Sequence, residues 1–528
     1  MPRPGFVLEV DERTPPLLVH EGEGYRLQRF PLGSRVVYSP DPLPGIRDVN
    51  GAIRQALLHP VDMDPLPELL TPGMKLTIAF DDISLPLPPM VQPDIRQRIL
   101  EAVVELAARA GVTDVKLIVA NALHRRMTAA EIKRAVGERI FRSFWPTDLY
   151  NFDAENRDEL EFIGTTDQGE EVEISKRAAE SDLIVYVNIN LVAMDGGDKS
   201  VPVGLAGYRS LRHHHNVHTM LHSNSYMDPR PEHSAIHAST RRMGDVLRNA
   251  GIKIFSIETT LNSETFPKEL DFLNKREWEW SLKDQALMLG ARKANELAPP
   301  RIRREVFRRI EAPYKITGVN AGATGPVHER TMAKLHEQQL VEVEGQSDVV
   351  VFGLPYICPY NVNSIMNPIL VHCLGLGYLF NMYRNKPLVR PGGVVIMFHP
   401  VPWEFHQIHH PSYIDFFEEV LSETTDPATI ESKYEQRYAE DPWYIHLYRT
   451  SHAYHGVHPF YMWYWGAHGR DYAGDVIVVG GDPRTTARMG YRTAGTFRDA
   501  LEMASDTVGR SPSITYFHAP PLAIADVR

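Results

Sequence analysis

Cysteine is almost absent from this chain: Cys358 and Cys373 are the only two in 528 residues. Two thiols cannot build a disulfide framework, and without a Cys-x-x-Cys pair a cysteine-based zinc site is excluded. No run of about 18 apolar residues occurs, so no membrane-spanning helix is expected. The opening segment, MPRPGFVLEVDERTPPLL, lacks a basic stretch followed by an apolar core, so no secretory signal is expected either. Positive charge is in deficit. Lys and Arg number 56 against 67 Asp and Glu, a formal charge of −11 that argues against nucleic acid or an anionic membrane as the main partner. There is no internal repeat or low-complexity tract, and 43% hydrophobic with 23% charged residues excludes disordered and fibrous classes. These absences describe a soluble cytoplasmic protein.

What the chain has in quantity is histidine, 23 residues, so imidazole chemistry is favoured over thiolate chemistry. Its length implies two or three domains. Strand-like apolar runs at 75–81, 115–121, 182–189 and 251–260 alternate with helical patterns, including Ile95, Ile99, Val103, Leu106 and Ala107 on one face. A charged, helix-rich section spans 266–345, and strand signals return at 347–355, 392–400 and 474–481, with a helix near 495–508. Alternating strands and helices predict an α/β protein with largely parallel sheets in two domains, residues 1–340 and 341–528. Residues 266–340 would form a helical connection.

Four places gather polar residues where open α/β sheets build their sites, at the carboxyl ends of strands. Asp81-Asp82-Ile83-Ser84-Leu85-Pro86-Leu87-Pro88 follows the first strand and offers acids on a proline-stiffened loop. Asn121 to Glu131 places His124 in a strand-to-helix turn, within reach of a substrate as a general base, while Thr128 and Glu131 fit a capping box. Asp195-Gly196-Gly197-Asp198-Lys199-Ser200 has glycines that admit close backbone approach, although the spacing is not that of a Walker A loop. His213-His214-His215-Asn216-Val217-His218 precedes His222; on a helix, His214 and His218 would share a face and could bind a metal.

Taken in order, these segments resemble the nickel-pincer lactate racemase family. The resemblance runs from HPVDMDPLPELL to the C-terminal sheet and is most specific at LHRRMTAAEI, at ELEFIGTTDQGEEVEISKRAAESDLIV, and at GGDKSVPVGLAGY leading to HHHN. It implies two α/β domains with the active site in the cleft between them, and a pyridinium-based nucleotide that carries nickel through one carbon and two sulfurs. That cofactor would be joined covalently to Lys199, with Gly196, Gly197 and Ser200 around it and His215 as the metal ligand. Lys199 and His215 lie sixteen residues apart, as the motif requires. The implied activity is racemisation or epimerisation of a 2-hydroxy acid, in which hydride leaves the hydroxyl-bearing carbon and returns. His124 falls on one of two family acid/base histidines, with Asp82 beside it. The implied partners are a small hydroxy acid and the proteins that make the cofactor.

The pattern also departs from the family. No histidine lies between His124 and His213, so the second acid/base histidine is missing, and Asn190 stands nearest the lost position. Asparagine hydrogen-bonds a hydroxyl but is no base near neutral pH. The family's Asp-x-Thr-Arg-Pro loop becomes Asp82-Ile83-Ser84-Leu85-Pro86, and the expected Gln-x-x-Lys pair falls near Met366 and Ile369. The resemblance therefore implies a more apolar pocket. His399, His446, His452, His455 and His458 are spare histidines for the lost base, and Arg449 a substitute carboxylate clamp. The aromatic stretch 443–468 reads either as a wall of the cleft or as ordinary core. Two further readings stay open: a non-catalytic homologue that binds a nucleotide-like cofactor or a partner, and a zinc or iron hydrolase using the 213–222 histidine cluster.

Overall fold

The computed structural model describes residues 6–85 and 88–528; Pro86 and Leu87, inside the predicted acidic loop, lie outside the described residues. Two large sheets organise the chain. The first has six strands in the order Ile316–Gly322, Ile254–Leu261, Leu183–Asn190, Lys75–Asp81, Asp114–Ala120 and Leu149–Asn151. All neighbours run parallel except Ile316–Gly322, which is antiparallel to Ile254–Leu261. Strands covered on both faces need continuous apolar runs, and Leu183–Asn190 is buried at every position. Helix Ile95–Arg109 covers this sheet with Ile95, Ile99, Val103 and Ala107, and Asp94 caps it through the Arg96 backbone N–H.

The second sheet has nine strands. Its centre is Ser347–Pro355, paired in parallel with Val389–Phe398 on one side and Ile514–His518 on the other. Asp475–Val479 and Arg492–Ala494 extend one edge. The other edge is built from the start of the chain. Arg35–Tyr38 pairs with Ile514–His518, Val7–Glu9 pairs with Arg35–Tyr38, and the hairpin Leu17–Gly22/Gly24–Gln28 attaches to Ser347–Pro355. Residues 7–38, assigned by sequence to the first domain, thus complete the sheet of the second, and part of the predicted helical connection, Ile316–Gly322, is a strand of the first. The α/β class with mostly parallel sheets holds throughout. Among the described residues no helix is long and apolar enough to cross a membrane.

The aromatic stretch folds into helices Pro442–Thr450, His458–Trp465 and Ala467–Tyr472. All eight residues of His458–Trp465 are buried, which makes this helix core first. The residues that precede it reach the turns of the first sheet. The Tyr448 hydroxyl donates to the Ala122 carbonyl (2.7 Å) and accepts from the Ala154 N–H (3.2 Å), and the His455 N–H donates to the Leu123 carbonyl (3.2 Å).

Candidate active site

Where the central strands of the first sheet end, their last residues and the following turns surround a cavity of about 120 Å³. Asp81 and Asp82 come from the end of Lys75–Asp81, His124 from the turn after Asp114–Ala120, and Asn188 from Leu183–Asn190. Lys199 and Ser200 rise from the glycine loop, His215 from the turn before helix Val217–Leu221, and Tyr360, His458, Tyr461 and Met462 from the second domain.

His124 is oriented by a carboxylate. Its Nδ1 lies 3.0 Å from Asp82 Oδ2, and Asp82 also accepts from the Ser84 N–H (2.9 Å) and hydroxyl (3.0 Å). Burial pushes the Asp82 carboxyl up, but the facing His124 and the Ser84 bonds outweigh it and leave the group below its ordinary range. The couple leaves Nε2 of His124 as the atom available to a ligand. The turn that carries it is tight, since Ala122 has φ +43°, in the left-handed region.

The glycine loop is shaped from behind. Gly196 (φ +83°) has no room for a Cβ, which would strike the Asn190 and Glu258 side chains, and the Gly197 N–H donates to the fully buried Glu258 (2.7 Å). Asn190 donates from Nδ2 to the Asp195 carbonyl (2.8 Å), so it braces this loop and is not among the residues lining the cavity. Gly197 likewise sits behind the lining, against His328. Ser200 donates to Asn188 Oδ1 (2.9 Å), and Asn188 Nδ2 donates to Asp81 (3.0 Å). Burial lowers the Lys199 ammonium from its ordinary value, offset in part by Asp195 and Asp81. Burial raises Asp81 to about 7, with the Ile189 N–H bond working against it and Asp195 adding to it.

His215 lies flat against Trp465, with ring centroids 5.4 Å apart and planes 4° apart, and its Nδ1 is 2.6 Å from His214 Nδ1. Burial, then the charges of His214 and Lys199, hold His215 well below its ordinary value. It is therefore a neutral imidazole, the form that ligates metals.

The predicted residues Asp82, His124, Gly196, Lys199, Ser200 and His215 share this one cavity. Other expectations separate from it. His214 and His218 do not share a helix, because Asn216 caps a helix that begins at Val217; His214 is buried and His218 exposed. Among the described residues no three His, Cys, Asp or Glu side chains group to hold a metal, so the 213–222 cluster does not supply the zinc or iron site of the hydrolase reading. Met366 and Ile369 are fully buried core away from the cavity, whereas Leu85 lines it. Arg449 pairs with Asp153 (3.0 Å). Of the spare histidines only His458 reaches the cavity; His455 bonds Glu155, His452 bonds the Arg126 carbonyl, His399 accepts from the Val401 N–H, and His446 is exposed. Glu258 and Tyr360 carried no local signal in the sequence, whereas Asp195 opens the glycine loop already read as a candidate place.

The residues present fit the implied cofactor. A primary amine with lowered proton affinity, a neutral imidazole and a glycine cradle that a Cβ would fill face one space.

The fold and site define an α/β protein of two large, mostly parallel sheets with an amine and imidazole cavity at the strand ends of the first. Residues 24–228 match the model of the Lactate racemase N-terminal domain family. A curated lactate racemase of Thermoanaerobacterium thermosaccharolyticum is 27% identical over 172 residues, covering 31% of this chain and only 37% of that relative. The structure of the lactate racemase apoprotein from the same organism superposes with a TM-score of 0.60 at 18% identity, covering 97% of this chain and 100% of that one. That likeness concerns the fold. Residues 24–228 thus match a lactate racemase N-terminal domain, and the chain as a whole shares the fold of that apoprotein.

Proposed function

We propose that this protein is a racemase or epimerase that inverts the hydroxyl-bearing carbon of a 2-hydroxy acid or related hydroxy compound. A nickel-pincer nucleotide would be held by a covalent link at Lys199 and by His215 at the metal. When bound, that group supplies the hydride acceptor. His124, oriented by Asp82, binds the substrate hydroxyl and moves its proton. The observation that carries the reading is that Lys199, His215 and the His124–Asp82 couple line one cavity, although they are far apart in sequence.

The charges at the cavity favour a substrate without a free carboxylate. Asp82 is matched by His124, while Asp81 and Asp195 both face Lys199. Among the described residues no arginine lines the cavity. The two buried arginines nearby are committed elsewhere: Arg96 to Asp94 and to the Asp81 and Asp82 carbonyls, Arg125 to Glu131 and the Val362 carbonyl. An amide or other uncharged hydroxy compound avoids burying an unpaired anion. The cofactor-making proteins would be its partners in a cytoplasmic setting.

The test is co-expression with cofactor-making enzymes, followed by mass analysis of the Lys199 peptide and metal analysis. A modified Lys199 with bound nickel is expected. His215→Ala should lose nickel, and His124→Ala should keep nickel and lose turnover. An unmodified lysine and no nickel in the wild type would refute the reading.

A further inference from the structure

His458 begins a helix of the second domain and is 2% exposed. Its Nδ1 is bonded to the Tyr413 hydroxyl (2.6 Å), while its Nε2 is buried without a hydrogen-bond partner. A buried nitrogen with no partner is costly, and this one belongs to a ring that lines the cavity. The imidazole lines the same cavity as His124, and the two rings meet edge to face with centroids 5.3 Å apart. Tyr360 (4.7 Å), Tyr454 (4.5 Å) and Tyr413 (5.9 Å) pack around it and fix its orientation.

We propose that His458 is the second acid/base residue of the site, with Nε2 accepting the proton of the substrate hydroxyl and returning it. This rests on the function proposed above and assigns the role left open by the missing histidine to a residue of the other domain. The substrate O–H bond breaks as an N–H bond forms at Nε2. The proton goes back to the same oxygen when the hydroxyl-bearing carbon is restored, so the site ends with the protons it began with.

The two imidazoles differ in their partners. His124 Nδ1 faces the Asp82 carboxylate. The rings of His124, Tyr360, Tyr413 and Tyr454 pack on His458, and His410, His215 and His455 act on it through their charges. Burial, then the charge of His124 and the other histidines, holds it well below its ordinary value, so its lone pair is free at neutral pH. The proposal takes Nδ1–H as the donor to Tyr413, which puts the lone pair on Nε2.

Two measurements on cofactor-loaded protein test the assignment. In ¹⁵N-histidine NMR, Nε2 of His458 should be unprotonated between about pH 6 and 9 and should shift when lactamide is added. A protonated Nε2 across that range overturns the proposal, whether or not turnover of any compound is found. In kinetics, His458→Gln should keep nickel and the Lys199 modification while kcat falls at least about 100-fold. A loaded variant with an unchanged rate overturns the role of His458 alone; wild-type protein with no nickel and an unmodified Lys199 overturns the underlying reading as well. If His458→Gln does not fold, Tyr413→Phe, which frees Nδ1, should move the pH profile of kcat, and an unmoved profile counts against the proposal.

Discussion

Asp81 offers a pH-dependent stability that can be worked out from its surroundings. The free side chain ionises near 3.8, whereas burial beside Asp195 raises it to about 7 in the folded protein. Between those values the folded chain keeps a proton that the unfolded chain has already lost. Stability therefore falls as pH rises through this window, and above about 7 the whole loss is felt, at most about 4 kcal/mol. Asp81→Asn removes the ionisation. It keeps one acceptor for the Asn188 and Ile189 donors that now bind the two carboxyl oxygens, and it loses about 1 kcal/mol for the other. The variant should thus be slightly less stable than the wild type near pH 4 and more stable near pH 8. Between about pH 5 and pH 8 the wild type should lose about 2–3 kcal/mol relative to the variant. Urea unfolding of both proteins at each pH measures this. Difference infrared spectroscopy should also show a protonated carboxyl band in the folded wild type near pH 6 that Asp81→Asn lacks. Parallel pH dependences for the two proteins would refute the reasoning, because they would mean that Asp81 ionises alike folded and unfolded.

Three other outcomes follow from the cavity and its supports. Gly196→Ala places a methyl against Asn190 and Glu258 at a positive φ, so it should cost about 1–3 kcal/mol in unfolding experiments and abolish modification of Lys199. Leu85→Arg adds a guanidinium to the cavity wall and should shift calorimetric binding toward lactate over lactamide by roughly tenfold; an unchanged preference would exclude carboxylate charge as the selecting feature. Tyr448→Phe deletes the hydroxyl that joins Ala122 to Ala154, and should cost about 1–3 kcal/mol while speeding amide exchange in the 121–126 turn; unaltered exchange there would show that the turn holds its shape unaided.

Much of this was legible in the sequence, for local reasons. Lys75–Asp81 and Ser347–Pro355 form where continuous apolar runs demand burial on both faces, and the Thr128–Glu131 capping box starts the helix it signals. Lys199, His215 and His124 could be located because their neighbours have a recognisable order. What escaped depends on partners distant in the chain. Residues 7–38 carry strand signals too short to say which sheet they join, and only pairing with Ile514–His518 and Ser347–Pro355 decides it. Asn190 has the right place in the chain for a site residue, yet the turn at Gly196 draws its amide to the Asp195 carbonyl. His458 was one histidine among five equivalent spares until the fold brought its ring to the cavity wall with Nε2 unpartnered.

The seam between the domains divides labour within the cavity. The groups that grip Lys199 and shape its loop, namely Asp195, Asn190 and Glu258, all belong to the six-stranded sheet and the loops at its strand ends. Tyr360, His458, Tyr461 and Met462 line the cavity from the other half. Inheritance can therefore rewrite one wall while the anchorage opposite is left intact. A lineage that conserves its attachment chemistry can try new ligands by changing a helix that is otherwise plain hydrophobic interior.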